Sequence, residues 1–387
     1  MSLLAGLFGG SRANLSQTLQ LDLARLQKVV SEIGDTRLAL RLFWHRSDPA
    51  EQLHLINRYL GEQLAEATAR DRLVRTSAFV RGDDALPAEV KSAASTPPEA
   101  HHMLDAGCAA LGKTLTDGQV EAILDHLSTK PVLLGHVPGA AKGQVASIDL
   151  VPPESNYGCY SFLDLCSSPG LIKFATQDKF IDLAQAYLGC TPTLYSINAF
   201  WSFPNRQPHK ASQVFHRDWE DYRCLALFTQ LTPVDVPEDG AHYFVETSSD
   251  VPKFERTLRD RGIPADEIEA LSVRDETVIA PLAMKLFKGS ARRFDGPAGE
   301  SFCTDGYGLH RAEVPRDRPR LLLWLRFGNF FNETVYAMNS GNLSAEAAAE
   351  VLESIPATTR HQYVFRYLIQ ALTAAAQAQA PSNGRMP

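Results

Sequence analysis

Between residues 193 and 327 the sequence runs as short aromatic and aliphatic segments divided by turn-forming clusters, and this alternation constrains the fold most. Residues 193–201, 214–218, 223–231, 241–247, 307–312 and 320–327 each have strand length and strand composition. Pro-Asn, Pro-Glu-Asp-Gly and Gly-Pro-Ala-Gly turn signals lie between them. Many short strands joined by turns close into a sandwich or barrel, here expected to be of the jelly-roll type. Charge-rich, helix-patterned sequence over 251–281 interrupts the series and reads as an insertion at one rim of the sheet.

Helical patterning flanks this core on both sides. Leu15, Leu19, Leu23, Leu26 and Val30 recur at three- and four-residue steps, which lines one face of a helix. Asp48-Pro49-Ala50-Glu51 supplies an N-cap, a proline at the first helical position and an acid behind it. A breaker-rich link over 82–100 follows. Thr116-Asp117-Gly118-Gln119 predicts a capped helix through Val120, Ile123, Leu124 and Leu127, and a helix over 179–188 is expected to stop at Gly189. After Asn339 the pattern is helical again, with Ser344 as a cap and a further helix over 360–378. The expected class is α+β: a helical N-terminal extension at 1–100, a double-stranded β-helix (jelly-roll) core at 101–338, C-terminal helices at 339–380 and a disordered tail at 381–387.

Composition narrows the function by exclusion. The chain has 387 residues, 44% hydrophobic and 21% charged, enough for a sizeable core and unlike a disordered chain. A formal net charge of -7 argues against a nucleic-acid surface as the main function. The six cysteines show no metal-type or disulfide-framework spacing and read as reduced thiols. The start lacks a basic n-region and a cleavage site, and no run approaches the roughly 20 apolar residues of a membrane span. The expectation is a cytoplasmic protein with a small-molecule substrate and neither nucleic acid nor membrane as partner, its oligomeric state open.

The chemistry concentrates in Phe215-His216-Arg217-Asp218-Trp219 and in His310 far downstream. In an extended segment His216 and Asp218 point to one face, because strand side chains alternate with period two. One more histidine from a neighbouring strand completes two imidazoles and a carboxylate, the facial set that holds non-haem Fe(II) and leaves positions open for co-substrate and O2. Arg320 opens the apolar run Leu321-Leu322-Leu323-Trp324-Leu325, where a guanidinium fork suits the far carboxylate of 2-oxoglutarate. Arg316 and Arg318 compete for that role but sit in a polar turn and read as solvated. Arg206, in a polar loop, and Trp219 are candidates for touching substrate, against the plainer readings of a solvated charge and core packing. His101-His102 reads as a surface loop and His242 as structural.

These motifs, from about Asp105 to Phe331, resemble the phytanoyl-CoA dioxygenase family of Fe(II)/2-oxoglutarate oxygenases. The resemblance rests on Val214-Phe215-His216-Arg217-Asp218, Leu231-Thr232-Pro233-Val234-Asp235, Asp295-Gly296-Pro297-Ala298-Gly299, His310-Arg311-Ala312 and Pro319-Arg320-Leu321-Leu322-Leu323. It implies His216, Asp218 and His310 as iron ligands, Arg320 as the oxo-acid anchor and Asn198 as a polar residue beside that co-substrate, against the plainer reading of Asn198 as satisfying backbone groups at a strand end. It also implies substrate hydroxylation with release of succinate and CO2. Asp218 speaks against halogenation, since halogenating relatives carry a small residue there. The family's Pro-Gly-Ser-His appears here as Glu246-Thr247-Ser248-Ser249-Asp250, so substrate recognition does not transfer. Two other readings stay open: a catalytically silent jelly roll that binds a ligand or partner, and an oxygenase that draws all its electrons from substrate.

Overall fold

The computed structural model describes residues 90, 96–135, 141–204, 211–218, 223–271, 276–328 and 341–378. The helices expected before residue 90, the tail at 381–387, Arg206 and Trp219 lie outside the described residues.

The described chain is mixed helix and antiparallel sheet. Its strands are β1 (Cys108–Lys113), β2 (Val132–Leu134), β3 (Gln144–Val145), β4 (Tyr157–Cys159), β5 (Thr193–Ser202), β6 (Cys224–Gln230), β7 (His242–Phe244), β8 (Arg292–Phe294), β9 (Glu300–Asp305), β10 (His310–Ala312) and β11 (Arg320–Gly328). Helices α1 (Pro98–Ala106), α2 (Asp117–Ser128), α3 (Phe162–Cys166), α4 (Leu171–Ala175) and α5 (Asp178–Leu188) precede the central strands. Then α6 (Val251–Asp260), α7 (Ala265–Ala270) and α8 (Glu276–Phe287) lie between β7 and β8, and α9 (Ala345–Glu353), α10 (Thr359–Val364) and α11 (Arg366–Ala378) follow β11. A large sheet runs β1-β9-β6-β11-β5-β4-β2-β3 and a small one β10-β7-β8.

Strand β11 shows how the sequence divides the molecule. All nine of its residues are buried, yet its two faces meet different surroundings. Leu321, Leu323, Leu325 and Phe327 pack into the core shared with the helices, and α5, α9, α10 and α11 contribute to that same core. Each buried leucine there contributes about 1.5–3 kcal/mol through the water it sheds. The opposite face carries Arg320, Leu322, Trp324 and Arg326, of which Leu322 and Trp324 join Phe200, Phe228, Phe244 and Phe302 between the sheets.

Local signals fix the helix ends. Thr116 and Gln119 form a reciprocal capping box at α2, and Gly189 closes α5 in the left-handed region at φ 72°. Ser344 accepts from Ala347 N–H to start α9. Two expectations are corrected. The stretch 360–378 is two helices that break at Phe365, whose ring is fully buried. Residues 214–218 are not a strand: His216 and His310 exchange one pair of backbone bonds at 3.0 and 3.1 Å and Asp218 N–H reaches Gly306 O, but pairing stops there. Beyond that bridge the chain facing Asp218 turns at 305–308, closed by Gly308 N–H on Asp305 O, and the ladder does not continue. Helix α1 runs across residue 100, where the extension was expected to end, and His101 and His102 are exposed on that helix rather than in a loop.

The insertion is helical as expected and extends to Phe287. Its helices bury Phe254, Leu258, Ile268, Ile279, Ala283 and Phe287 against Phe215 and Leu309, the residues just before His216 and His310. Arg217 fastens the arrangement from below. Its buried guanidinium donates to Leu271 O at the end of α7, to Ser248 O and to Tyr307 O. The loop at 247–250 that departs from the family pattern is a brace: Ser248 Oγ accepts from Leu309 N–H at 2.7 Å and Asp250 caps α6.

Candidate metal centre

His216, Asp218 and His310 converge, with one ligand atom from each lying within 4.8 Å of the others. His216 Nε2 is 3.6 Å from Asp218 Oδ1, His310 Nε2 is 3.7 Å from Asp218 Oδ2, and the two imidazole centroids are 4.2 Å apart. Each ring is oriented by its own backbone. His216 Nδ1 is 2.8 Å from Val214 O and His310 Nδ1 is 2.8 Å from Gly308 O, in both cases two residues earlier. A carbonyl oxygen only accepts, so both Nδ1 atoms carry a proton and both Nε2 atoms face Asp218. Burial, and next the neighbouring His216, push the pKa of His310 down to about 4, which keeps it in the neutral form a metal requires.

Arg320 lies on the same sheet face, at the far end of β11. It is 1% exposed, and none of its guanidinium nitrogens has a hydrogen-bond partner among the described residues. Burial pulls its pKa down to about 9, so the cation at neutral pH is held at a cost. Its stem runs under Gly240, where φ is +102° and an added Cβ would lie 2.9 Å from Arg320 Cδ. Glycine is needed there for both reasons.

Other buried polar atoms on this inner surface also lack partners. Ser202 faces Arg320 directly across from β5, and Gln230 pairs with Leu322 from β6, a diagonal neighbour of Arg320. Ser202 Oγ and both amide atoms of Gln230 are unpaired among the described residues. From the small sheet, His242 presents an unpaired Nε2 and stacks 5.6 Å from His310, within electrostatic reach of Arg320. Burial first, and then the charges of His310 and Arg320, push its pKa well down and keep it neutral. Unpaired buried donors around an unpaired cation describe a socket for a carboxylate. Asn198, buried on β5 opposite Trp324, stands on the same face midway between the two ends.

The triad, Arg320 and Asn198 are therefore brought to one surface. The competitors of Arg320 are elsewhere: Arg318 pairs with Asp235 and Asp239, and Arg316 with Glu238, on the exposed turn. Trp201 and Phe203 stack on each other in the helix-side core, with Trp201 Nε1 donating to Tyr160. Sequence reasoning missed Ser202, Gln230 and Arg326 and gave His242 a structural role. The signal for Arg326 was present, since it stands six residues beyond Arg320 and so on the same strand face.

Among the described residues no helix is long and apolar enough to cross a membrane. The sequence matches no protein-family model and no curated protein. Solved structures with a distant likeness include the non-haem alpha-ketoglutarate-dependent epimerase SnoN from nogalamycin biosynthesis, at 14% identity and TM-score 0.40, over 63% of this chain and 88% of that one. HygX from Streptomyces hygroscopicus, solved with nickel and 2-oxoglutarate, matches at 11% identity and TM-score 0.40, over 65% and 91%. EctD from S. alaskensis matches at 16% identity and TM-score 0.38, over 63% and 81%. These similarities lie below the level that establishes a shared fold or activity.

Proposed function

We propose that this chain is an Fe(II)- and 2-oxoglutarate-dependent oxygenase that hydroxylates a small molecule with release of succinate and CO2, built on a jelly roll formed by its two sheets. The observation that carries the reading is the pairing of two self-oriented histidines and a carboxylate with a buried arginine that meets no partner among the described residues, on the same sheet face. The donor set fits the group: two neutral imidazoles and one carboxylate suit divalent iron and leave positions open.

When bound, iron and the oxo-acid would supply dioxygen activation coupled to oxidative decarboxylation. The chain's own contribution is positional. His216 and His310 offer Nε2, and their Nδ1 bonds to Val214 O and Gly308 O stop the rings from turning. Arg320 neutralises the far carboxylate, with Ser202 and Gln230 as further donors. The aromatic wall of Phe200, Phe228 and Trp324 keeps bulk water from the space between the two ends.

The test is an anaerobic Fe(II) titration with and without 2-oxoglutarate, followed by the visible charge-transfer absorption of the ternary complex. The band is expected in the parent protein and absent in His216→Ala. A protein that binds neither iron nor oxo-acid would be a silent binding module instead. Iron-dependent oxygen uptake without succinate would assign an oxygenase that draws its electrons from substrate.

A further inference from the structure

The inner face of β11 ends in a second arginine that the proposed chemistry does not use. Arg326 is 3% exposed, and its Nη2 lies 3.0 Å from Asp218 Oδ2. Its guanidinium carbon sits 3.8 Å from the centre of the Trp324 ring. The cross-strand neighbours are small, Ser196 on β5 and Ala226 on β6, and this makes room for a guanidinium inside the sheet face. Asp218 is fixed from its other side as well. Its N–H donates to Gly306 O at 2.8 Å, and a Cβ on Gly306 would come within 3.3 Å of Asp218 Cβ and 3.1 Å of Cys224 Sγ.

We infer that Arg326 is a positioning residue for the metal centre: its bond to Oδ2 fixes how the Asp218 carboxylate is turned toward the Nε2 atoms of His216 and His310. The inference rests on the metal-site reading above and deepens it. The guanidinium compensates the buried carboxylate from within the fold, and its bond to Oδ2 limits how the carboxylate can turn.

The sign of the effect has to be decided between two opposed terms. A guanidinium beside a metal ligand repels a divalent cation, so on Coulomb grounds its removal tightens binding. It also orients the ligand, and losing such an outer partner typically costs roughly 10–100-fold in metal affinity. Orientation wins here because Asp218 is the one carboxylate of the cluster among the described residues, and turning it away takes that donor from the set.

The experiment titrates the metal-free full chain with Co(II), without oxo-acid, reading the visible absorption of the bound ion. The parent, Arg326→Met and Arg326→Lys are compared, with apo melting and circular dichroism reporting the fold of each. Arg326→Met is expected to lose roughly 10–100-fold in Co(II) affinity and to change the band's intensity as the carboxylate's coordination changes. Arg326→Lys, which keeps a cation within reach of Oδ2, is expected to recover most of both. If Arg326→Met does not fold, Arg326→Gln takes its place, with the same direction expected. Equal or tighter Co(II) binding without the charge overturns the inference, as does a lowered melting point with unchanged affinity of the folded protein. A parent that binds no Co(II) fails the metal-site reading itself. A parent that binds it, and loses it in His310→Ala but not in Arg326→Met, fails this inference alone.

Discussion

The two ends of β11 present the same residue in opposite states. Arg326 is spoken for: its charge is met by Asp218 and its plane by Trp324. Arg320, six residues away on the same face and just as buried, meets no acceptor among the described residues. A buried arginine is expensive unless paired, and among the described residues Arg320 has no group that pairs it. The comparison separates two uses of one side chain. The paired arginine orients a neighbouring carboxylate, and the other keeps its donors available on the same face.

The comparison breaks first at Arg320. Arg320→Met is expected to weaken 2-oxoglutarate binding at least about thirtyfold, since truncating one partner of a buried charge pair costs about 2 kcal/mol or more. The same change is expected to raise the stability of the ligand-free protein by about 1–4 kcal/mol, because an uncompensated cation leaves the interior. Calorimetric titration and denaturant unfolding read the two effects. A weakened ligand-free protein would show that Arg320 has a protein partner after all.

Acid should act through the buried histidines of this face, His310 in the triad and His242 stacked beside it. His310 titrates at about 4 in the folded chain against an ordinary 6.5, so between those values the unfolded chain takes up a proton that the native one refuses. Stability is therefore fully present above about 6.5 and is lost as the pH falls toward 4. Melting the metal-free protein across that window tests it, and His310→Gln should flatten the slope.

A smaller effect is expected from Gln230→Leu, which removes one neutral donor beside Arg320. Affinity for the oxo-acid should fall about tenfold, in line with about 1.5 kcal/mol for a hydrogen bond to a charged group, while Co(II) affinity stays as it was. The smallest is Arg318→Ala. This arginine answers Asp235 and Asp239 in the exposed turn, and its loss should leave both affinities unchanged. A change in oxo-acid affinity there would move the anchor away from Arg320.

The sequence made the donor types plain and the support around them obscure. His216, Asp218, His310 and Arg320 were readable because each stood out chemically in an aromatic, strand-patterned stretch. Short strands such as β1, β4 and β9 escaped notice: their pairing, Cys108 with Thr304 for example, joins residues nearly two hundred positions apart. Gln230 and Ser202 looked like ordinary strand polar residues, and only the cross-strand register brought them to Arg320. The segment 214–218 was taken for a strand on composition, yet its geometry comes from one bridge and from the carbonyls that Arg217 gathers. Parity along β11 would have exposed Arg326, had both ends of the run been read together.

The bonds from Nδ1 of His216 and His310 to carbonyls two residues earlier bear on which ion the protein would acquire. A cradle whose donors are already turned inward asks little rearrangement of an incoming ion, and therefore gives up a means of telling one divalent ion from another. For such a nitrogen-rich set, nickel, copper and zinc outrank ferrous iron in intrinsic affinity. Occupancy by iron would then be decided by which ions the surroundings leave available, and an isolated preparation should carry whatever ion it last met.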